Sequence, residues 1–212
     1  MWIDVKQNTD EWFGMRVGKI TSSKFSTIMA NEGKAFGNPA VEYAEKLALE
    51  RVTGKRDESA SLSSKYLDRG HELEPDALKL YEFEQLCTVT NGGFNTNGEN
   101  INGLDGNLGD SPDGVVLEDN GSVEVKSVIP KTHWKRLKKG GIDTSYKWQI
   151  QGHIWLGNYD YCDFVSYCPE MPDGKRLFVE RVLLDVDMIT RLNKRIIQFE
   201  LMIEKNIEIL KS

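Results

Sequence analysis

The amino-acid sequence predicts an α/β fold, a central sheet flanked by helices, in a single domain. Three observations predict it. Helical apolar spacing dominates the first part of the chain and its end, short β-prone runs punctuated by Gly, Asn and Asp fill the middle, and no internal repeat or low-complexity linker separates them. With 212 residues, 39% of them hydrophobic, the chain can bury a sizeable core, and residues 1–212 fall within the size of one domain.

In chain order, Thr21-Ser22-Ser23 offers N-cap hydroxyls ahead of Phe25, Ile28 and Met29, so a short helix is expected there. A second helix begins near Asn38-Pro39, where proline suits the first turn. It carries Val41, Ala44, Leu47 and Leu49 and stops at Gly54. A third covers Ser63 to Glu84, with a kink or fresh start near Glu74, because Pro75 lacks an N–H and disfavours helical angles in the residue before it. Strand-prone pieces follow at Cys87 to Thr90, Gly114 to Leu117 and Ser122 to Val128, with the hairpin signal Asp119-Asn120-Gly121 between the last two. Lys131 to Lys139 and Tyr146 to Leu156 read as helices, and Asp163 to Tyr167 and Arg176 to Leu184 as strands joined through Pro172-Asp173-Gly174. A long amphipathic helix from Met188 to Leu210 presents the stripe Leu192, Ile196, Phe199, Ile203, Ile207 and Leu210, expected to pack on the sheet.

Composition excludes several classes. The net charge of −6 argues against a protein that coats nucleic acid through bulk electrostatics. It leaves room for a site whose carboxylates are neutralised by divalent cations. Cys87, Cys162 and Cys168 are too few and scattered for a disulfide framework, and the three histidines show no zinc spacing. No run approaches the roughly 18 apolar residues of a membrane helix, and the N-terminus lacks a leader pattern, so no membrane association and a cytoplasmic location are expected.

Chemistry concentrates in Ser111-Pro112-Asp113-Gly114 followed by Val123-Glu124-Val125-Lys126. On a strand, Glu124 and Lys126 share a face about 6.5 to 7 Å apart while Val125 points into the opposite layer. A two-residue turn at Asn120-Gly121 would set Leu117 opposite Glu124 and Asp113 opposite Val128. That leaves Asp113 on the right face but roughly 13 Å from Glu124, a gap that strong twist or a bulge beside Gly114 must close. Phosphodiester hydrolysis explains the combination: carboxylates hold Mg²⁺, the ion activates a water, and ion and lysine stabilise charge on the phosphate. An acidic turn followed by Glu-x-Lys is also common on solvated strand edges.

Further motifs occur in a fixed order: Trp12, Arg16-x-Gly18-x-Ile20-Thr21-x-Ser23, Gly70-x-x-x-Glu74-Pro75-x-Ala77, the Ser111 and Glu124 motifs, and Gln149-x-Gln151. Together, over Trp12 to Gly157, they resemble the phage recombination exonucleases of the lambda exonuclease or YqaJ-type family. That resemblance implies the PD-(D/E)xK restriction-endonuclease-like core, a central mixed sheet flanked by helices. It implies that Asp113, Glu124 and the Val125 carbonyl bind Mg²⁺, two ions with Mn²⁺ a candidate substitute. Lys126 would orient or deprotonate the attacking water, Glu74 would hold a water or a second metal, and Gln151 would help place the nucleophile. Arg16, Ser23 and Ser111 would hold a terminal 5′-phosphate.

The activity so implied is 5′→3′ degradation of one strand of linear double-stranded DNA, leaving a 3′ overhang for recombination in a bacterial host, from a phage or prophage gene. A ring-shaped homotrimer and a single-strand annealing partner are implied too. Residues 127 and 128 are Ser-Val where the family's best-known member has Cys-Pro. From the residues themselves, Glu74 could instead be a helix N-terminal acid and Arg16 a surface arginine beside an N-cap. The basic stretch Lys131, Lys135, Arg136, Lys138 and Lys139 is expected to contact the DNA backbone, with Trp134 and Leu137 packed inward if the helix is merely solvated. Trp12 and Trp134 either stack on bases or belong to the core. A structure-specific or restriction-type endonuclease and a non-catalytic DNA-binding module are the alternatives.

Overall fold

The computed structural model describes residues 1–57, 65–97, 104 and 106–212. The start of the third helix at Ser63 and much of the Gly/Asn-rich stretch from 92 to 107 lie outside the described residues.

Two sheets form. Strands β3 (Val89–Asn91), β6 (Gly114–Val116), β7 (Gly121–Ser127), β8 (Tyr161–Tyr167) and β9 (Leu177–Leu183) make a five-stranded mixed sheet in the order β3-β6-β7-β8-β9. Only β7 and β8 run parallel, in register Glu124 to Phe164, and the chain between them supplies helices α5 (Pro130–Lys139) and α6 (Thr144–Gly157). A parallel neighbour needs such a crossover. A second, four-stranded sheet was not anticipated: β1 (Trp2–Ile3), β4 (Phe94–Thr96), β5 (Leu108–Asp110) and β2 (Ile20–Thr21). Its strands are two or three residues long, too short to show alternation. Helix α1 (Asp10–Arg16), capped by Thr9, was missed for the same shortness.

The large sheet is covered on both faces. Val123, Val125, Val165 and Tyr167 pack with Ala77 and Tyr81 of helix α4 (Lys65–Gln85), while Cys162 and Phe164 pack with Ile150 and Ile154 of α6. Period-two alternation therefore sends Val125 to one layer and Glu124 to the other.

Helix α4 runs without a break through Pro75, so no fresh start occurs at Glu74. Pro75 cannot donate to the carbonyl four residues back, at His71, and packing on the sheet holds the helix in spite of that loss. Glu74 is thus in a helix interior, which removes the N-terminal-acid explanation for it.

Helix α3 (Asn38–Thr53) starts and stops as expected, ending on Gly54 in the left-handed region. The stripe of α7 (Val186–Lys211) packs mainly on α3, with α6 and α2 (Phe25–Ile28) beside it, and not on the large sheet, and its last member, Leu210, is exposed. Leu192, Ile196, Phe199 and Ile203 are fully buried there, each contributing roughly 1.5–3 kcal/mol.

Candidate active site

The hairpin β6-β7 brings the carboxylates together by a register the sequence did not predict. Gly114 pairs with Val123 and Val116 with Gly121, so the connection is the four-residue loop 117–120 rather than Asn120-Gly121. Asn120 takes the left-handed conformation, whereas Gly121 lies in the strand under the Tyr161 ring, where a Cβ would sit 2.1 Å from Cζ. Gly121 therefore answers a close approach and not a turn. The shifted register moves Asp113 from opposite Val128 to beside Val123. The Asp113 N–H donates to the Val123 carbonyl (2.9 Å), although Gly114 is the residue paired with Val123. Two residues thus face one, as at a bulge, and the 13 Å gap disappears.

Asp113 Oδ2 accepts the Val125 N–H at 2.7 Å, and Asp113, Glu74, Val125 and Lys126 line one cleft of about 630 Å³ with Arg69, His71, Tyr146 and Gln149. Burial, then Glu124 and Glu74, push the Asp113 carboxyl well above its ordinary range. Burial and Glu124 raise Glu74 to about 7. Glu124 lies beneath the cleft surface, 1% exposed. Burial would raise it too, but Lys126 and His153 outweigh that and hold it near 2. Lys126 pairs with Glu124 Oε1, and although burial opposes its charge, Glu124 and Asp113 push its pKa up.

A buried chain of polar groups leads away from Glu124. Glu124 Oε2 is 2.8 Å from His153 Nε2, and His153 Nδ1 is 2.6 Å from Asp110 Oδ1, which also accepts from Ser22 Oγ. Asn95 donates to Asp110 Oδ2 at 3.3 Å. Burial disfavours the imidazolium, yet Asp110 and Glu124 raise His153 to about 10. Sequence reasoning missed Asp110 and His153. A signal existed: Tyr146, Gln149 and His153 recur at i, i+3 and i+7 on one helix face, and Asp110 directly precedes Ser111.

That periodicity also corrects Gln151. Its amide donates to the Leu183 carbonyl (2.9 Å) and accepts from the Asp185 N–H (2.8 Å), fastening α6 to the end of β9. Gln149 is the glutamine on the cleft. Arg136, 5% exposed, donates to Ser166 Oγ and Asp143 and lines the wall of the cleft, rather than standing on the exposed face with the lysines. Lys131, Lys135, Lys138 and Lys139 are exposed, and Trp134 is half exposed with Lys138 over its ring rather than packed inward.

At the N-terminal side, Trp12 is core and donates through Nε1 to Ser111 Oγ at 2.9 Å. Arg16 lies over the Trp12 ring, 4.3 Å from its centroid, and its guanidinium has no hydrogen-bonded partner among the described residues. Ser23 is exposed, with Oγ 3.2 Å from Thr21 Oγ1. The helix expected after Ser23 is only a 3-10 turn (Ser22–Lys24) and one turn of α2, too short for a useful macrodipole. Any anion held here depends on the guanidinium and hydroxyls.

The donor set suits a hard divalent cation. Carboxylates that raise one another's pKa mark unneutralised negative charge, and Asp113, Glu74 and Glu124 offer only oxygen. Among the described residues no three His, Cys, Asp or Glu side chains are already drawn into one coordination sphere. Mg²⁺ needs one or two carboxylates and keeps its waters.

The chain matches the model of the YqaJ-like viral recombinase domain over residues 11–160. It belongs to that family. The YqaJ-like chain shares 31% identity over 96% of both chains with an alkaline exonuclease (LHK-Exo) from Laribacter hongkongensis, at TM-score 0.82, and 0.83 for the same protein in complex with dAMP. A phage related exonuclease from Haemophilus somnus 129PT shares the fold at TM-score 0.67 and 17% identity, over 91% of this chain and 96% of that one. No curated protein matches. The five-stranded mixed sheet and its helices are the PD-(D/E)xK core, and this YqaJ-like chain has no helix among the described residues long and apolar enough to cross a membrane.

Proposed function

We propose that this chain is a Mg²⁺-dependent 5′→3′ exonuclease, which degrades one strand of linear double-stranded DNA from a 5′-phosphorylated end and leaves a 3′ overhang. Its nuclease character rests on family and fold. The finer reading is carried by one observation: Ser111-Pro112-Asp113 is a single short stretch with Trp12 and, over its ring, Arg16 at one end and the carboxylate cleft at the other. A 5′-phosphate held at Ser111 by the Arg16 guanidinium would place the first scissile phosphate near Asp113.

Asp113, Glu124, Glu74 and the Val125 carbonyl would hold divalent ions, which would supply charge neutralisation at the phosphate and a more acidic water. Lys126, paired with Glu124 Oε1 at the cleft, would aim the water and stabilise charge on the phosphate. Glu74, which lines the same cleft, would hold the second ion or a water beside it. Gln149 orients the attacking water from α6. The exposed lysines of α5 follow directly on β7 and supply sequence-independent backbone contacts. The homotrimer and annealing partner extend the same reading.

Digestion of matched linear and covalently closed duplexes in Mg²⁺ tests it. Only the linear form is expected to be consumed, and nicked circles would assign the chain to endonucleases instead.

A further inference from the structure

Glu124 has two oxygens with different fates. Among the described residues Oε1 meets only Lys126, whose side chain is 26% exposed and lines the cleft. Oε2 faces the interior and meets His153 Nε2 at 2.8 Å. His153 is fixed in turn: it is fully buried, and its other nitrogen lies 2.6 Å from Asp110, itself anchored by Ser22 and Asn95. The neighbouring Gly152 lets α6 press onto the segment that carries Ser22. A Cβ there would lie 2.8 Å from Ser22 Cβ and 2.7 Å from Phe25 Cε2. Two elements from separate sheets and one helix therefore over-determine the imidazole position.

We infer that His153 is a positioning residue: held by Asp110, it captures Glu124 Oε2 and so dictates that Oε1 is the oxygen presented to a divalent cation in the cleft. A metal-ligating carboxylate whose other oxygen is pinned cannot swivel, and loss of such a partner generally lowers metal affinity by roughly 10- to 100-fold. No group other than His153 bonds Oε2 among the described residues, so nothing replaces it.

The inference rests on the reading of Glu124 and Asp113 as cation ligands, and two side chains separate the failures. Asn at 153 reaches about as far as Nδ1 and keeps a donor for Asp110 while withdrawing from Glu124. Gln reaches about as far as Nε2 and keeps the donor to Glu124 while releasing Asp110. Both remove the imidazole charge alike, so any difference between them reads position. Mn²⁺ is titrated calorimetrically into the DNA-free full chain, with unfolding followed by circular dichroism.

The His153→Asn protein is expected to bind Mn²⁺ roughly 10- to 100-fold more weakly than His153→Gln. Equal affinity in the two variants overturns the inference. Wild-type protein that takes up no Mn²⁺ overturns the metal reading beneath it. Should either variant not fold, Asp110→Ala, which removes the acceptor for His153 Nδ1 and leaves Glu124 itself unchanged, is expected to weaken Mn²⁺ binding, and unchanged affinity there overturns the inference as well.

Discussion

The carboxylate of Asp113 accepts the backbone N–H of Val125 at 2.7 Å, which ties the turn before β6 to the residue between Glu124 and Lys126. One oxygen is engaged by the backbone and the carboxylate remains at the cleft. Replacing Asp113 by Ala, or Lys126 by Ala, is expected to cut hydrolysis of linear duplex by roughly 10²- to 10³-fold or more while leaving the unfolding transition cooperative. A digestion series read beside a thermal melt checks both halves.

Arg16 stacks on Trp12 with its donors uncommitted among the described residues. A charge-assisted hydrogen bond is worth roughly 1.5–3 kcal/mol. Arg16→Ala should therefore reduce the preference for 5′-phosphate over 5′-hydroxyl ends by about 10- to 100-fold. Equal losses on the two ends would place the phosphate elsewhere.

Two glutamines separated by one residue should behave oppositely. Gln149→Ala is expected to slow cleavage with little change in melting, because its side chain lines the cleft. Gln151→Ala is expected to lower stability by roughly 1–3 kcal/mol, since it strands the Leu183 carbonyl and the Asp185 N–H. Paired melts and rates distinguish them.

The pH dependence follows from Glu74 and Asp113, both raised by burial and by neighbouring carboxylates, Glu74 to about 7. A carboxyl whose folded pKa exceeds its unfolded value binds its proton more tightly when folded. Its stabilising contribution is complete below the unfolded pKa and disappears as pH rises to the folded one. Metal-free protein should lose stability between about pH 4.5 and 7. Added Mg²⁺ should raise the melting temperature more at pH 8 than at pH 5.5. A Mg²⁺ effect independent of pH would remove these carboxylates from the cation site.

Long elements were legible because each carries several turns or alternations of signal: α3 with its Pro39 start and Gly54 stop, α7 with its apolar stripe, β7 with Glu124 and Lys126 on one face. The small sheet was not, since strands such as Ile20–Thr21 owe their pairing to partners nearly ninety residues away along the chain. The identity of Asp113 as a site residue was readable, but its distance from Glu124 was not. Asn120-Gly121 is a strong local turn signal that lost to the fit of Gly121 under Tyr161. Arg136 sits within a basic run whose other members are exposed, and only the tertiary position of Ser166 reveals that it turns inward. His153 and Asp110 are single residues from distant segments, so their pairing became visible only once α6 and β5 were packed together.

End polarity tests the central claim most directly. A linear duplex labelled at the 5′ terminus of one strand and, in a parallel sample, at its 3′ terminus is digested with Mg²⁺ and with chelator. The account predicts that the 5′ label is released at once as a mononucleotide, that the 3′ label persists until late, and that chelator stops both. Early release of the 3′ label, or cleavage undiminished without divalent cation, would contradict it.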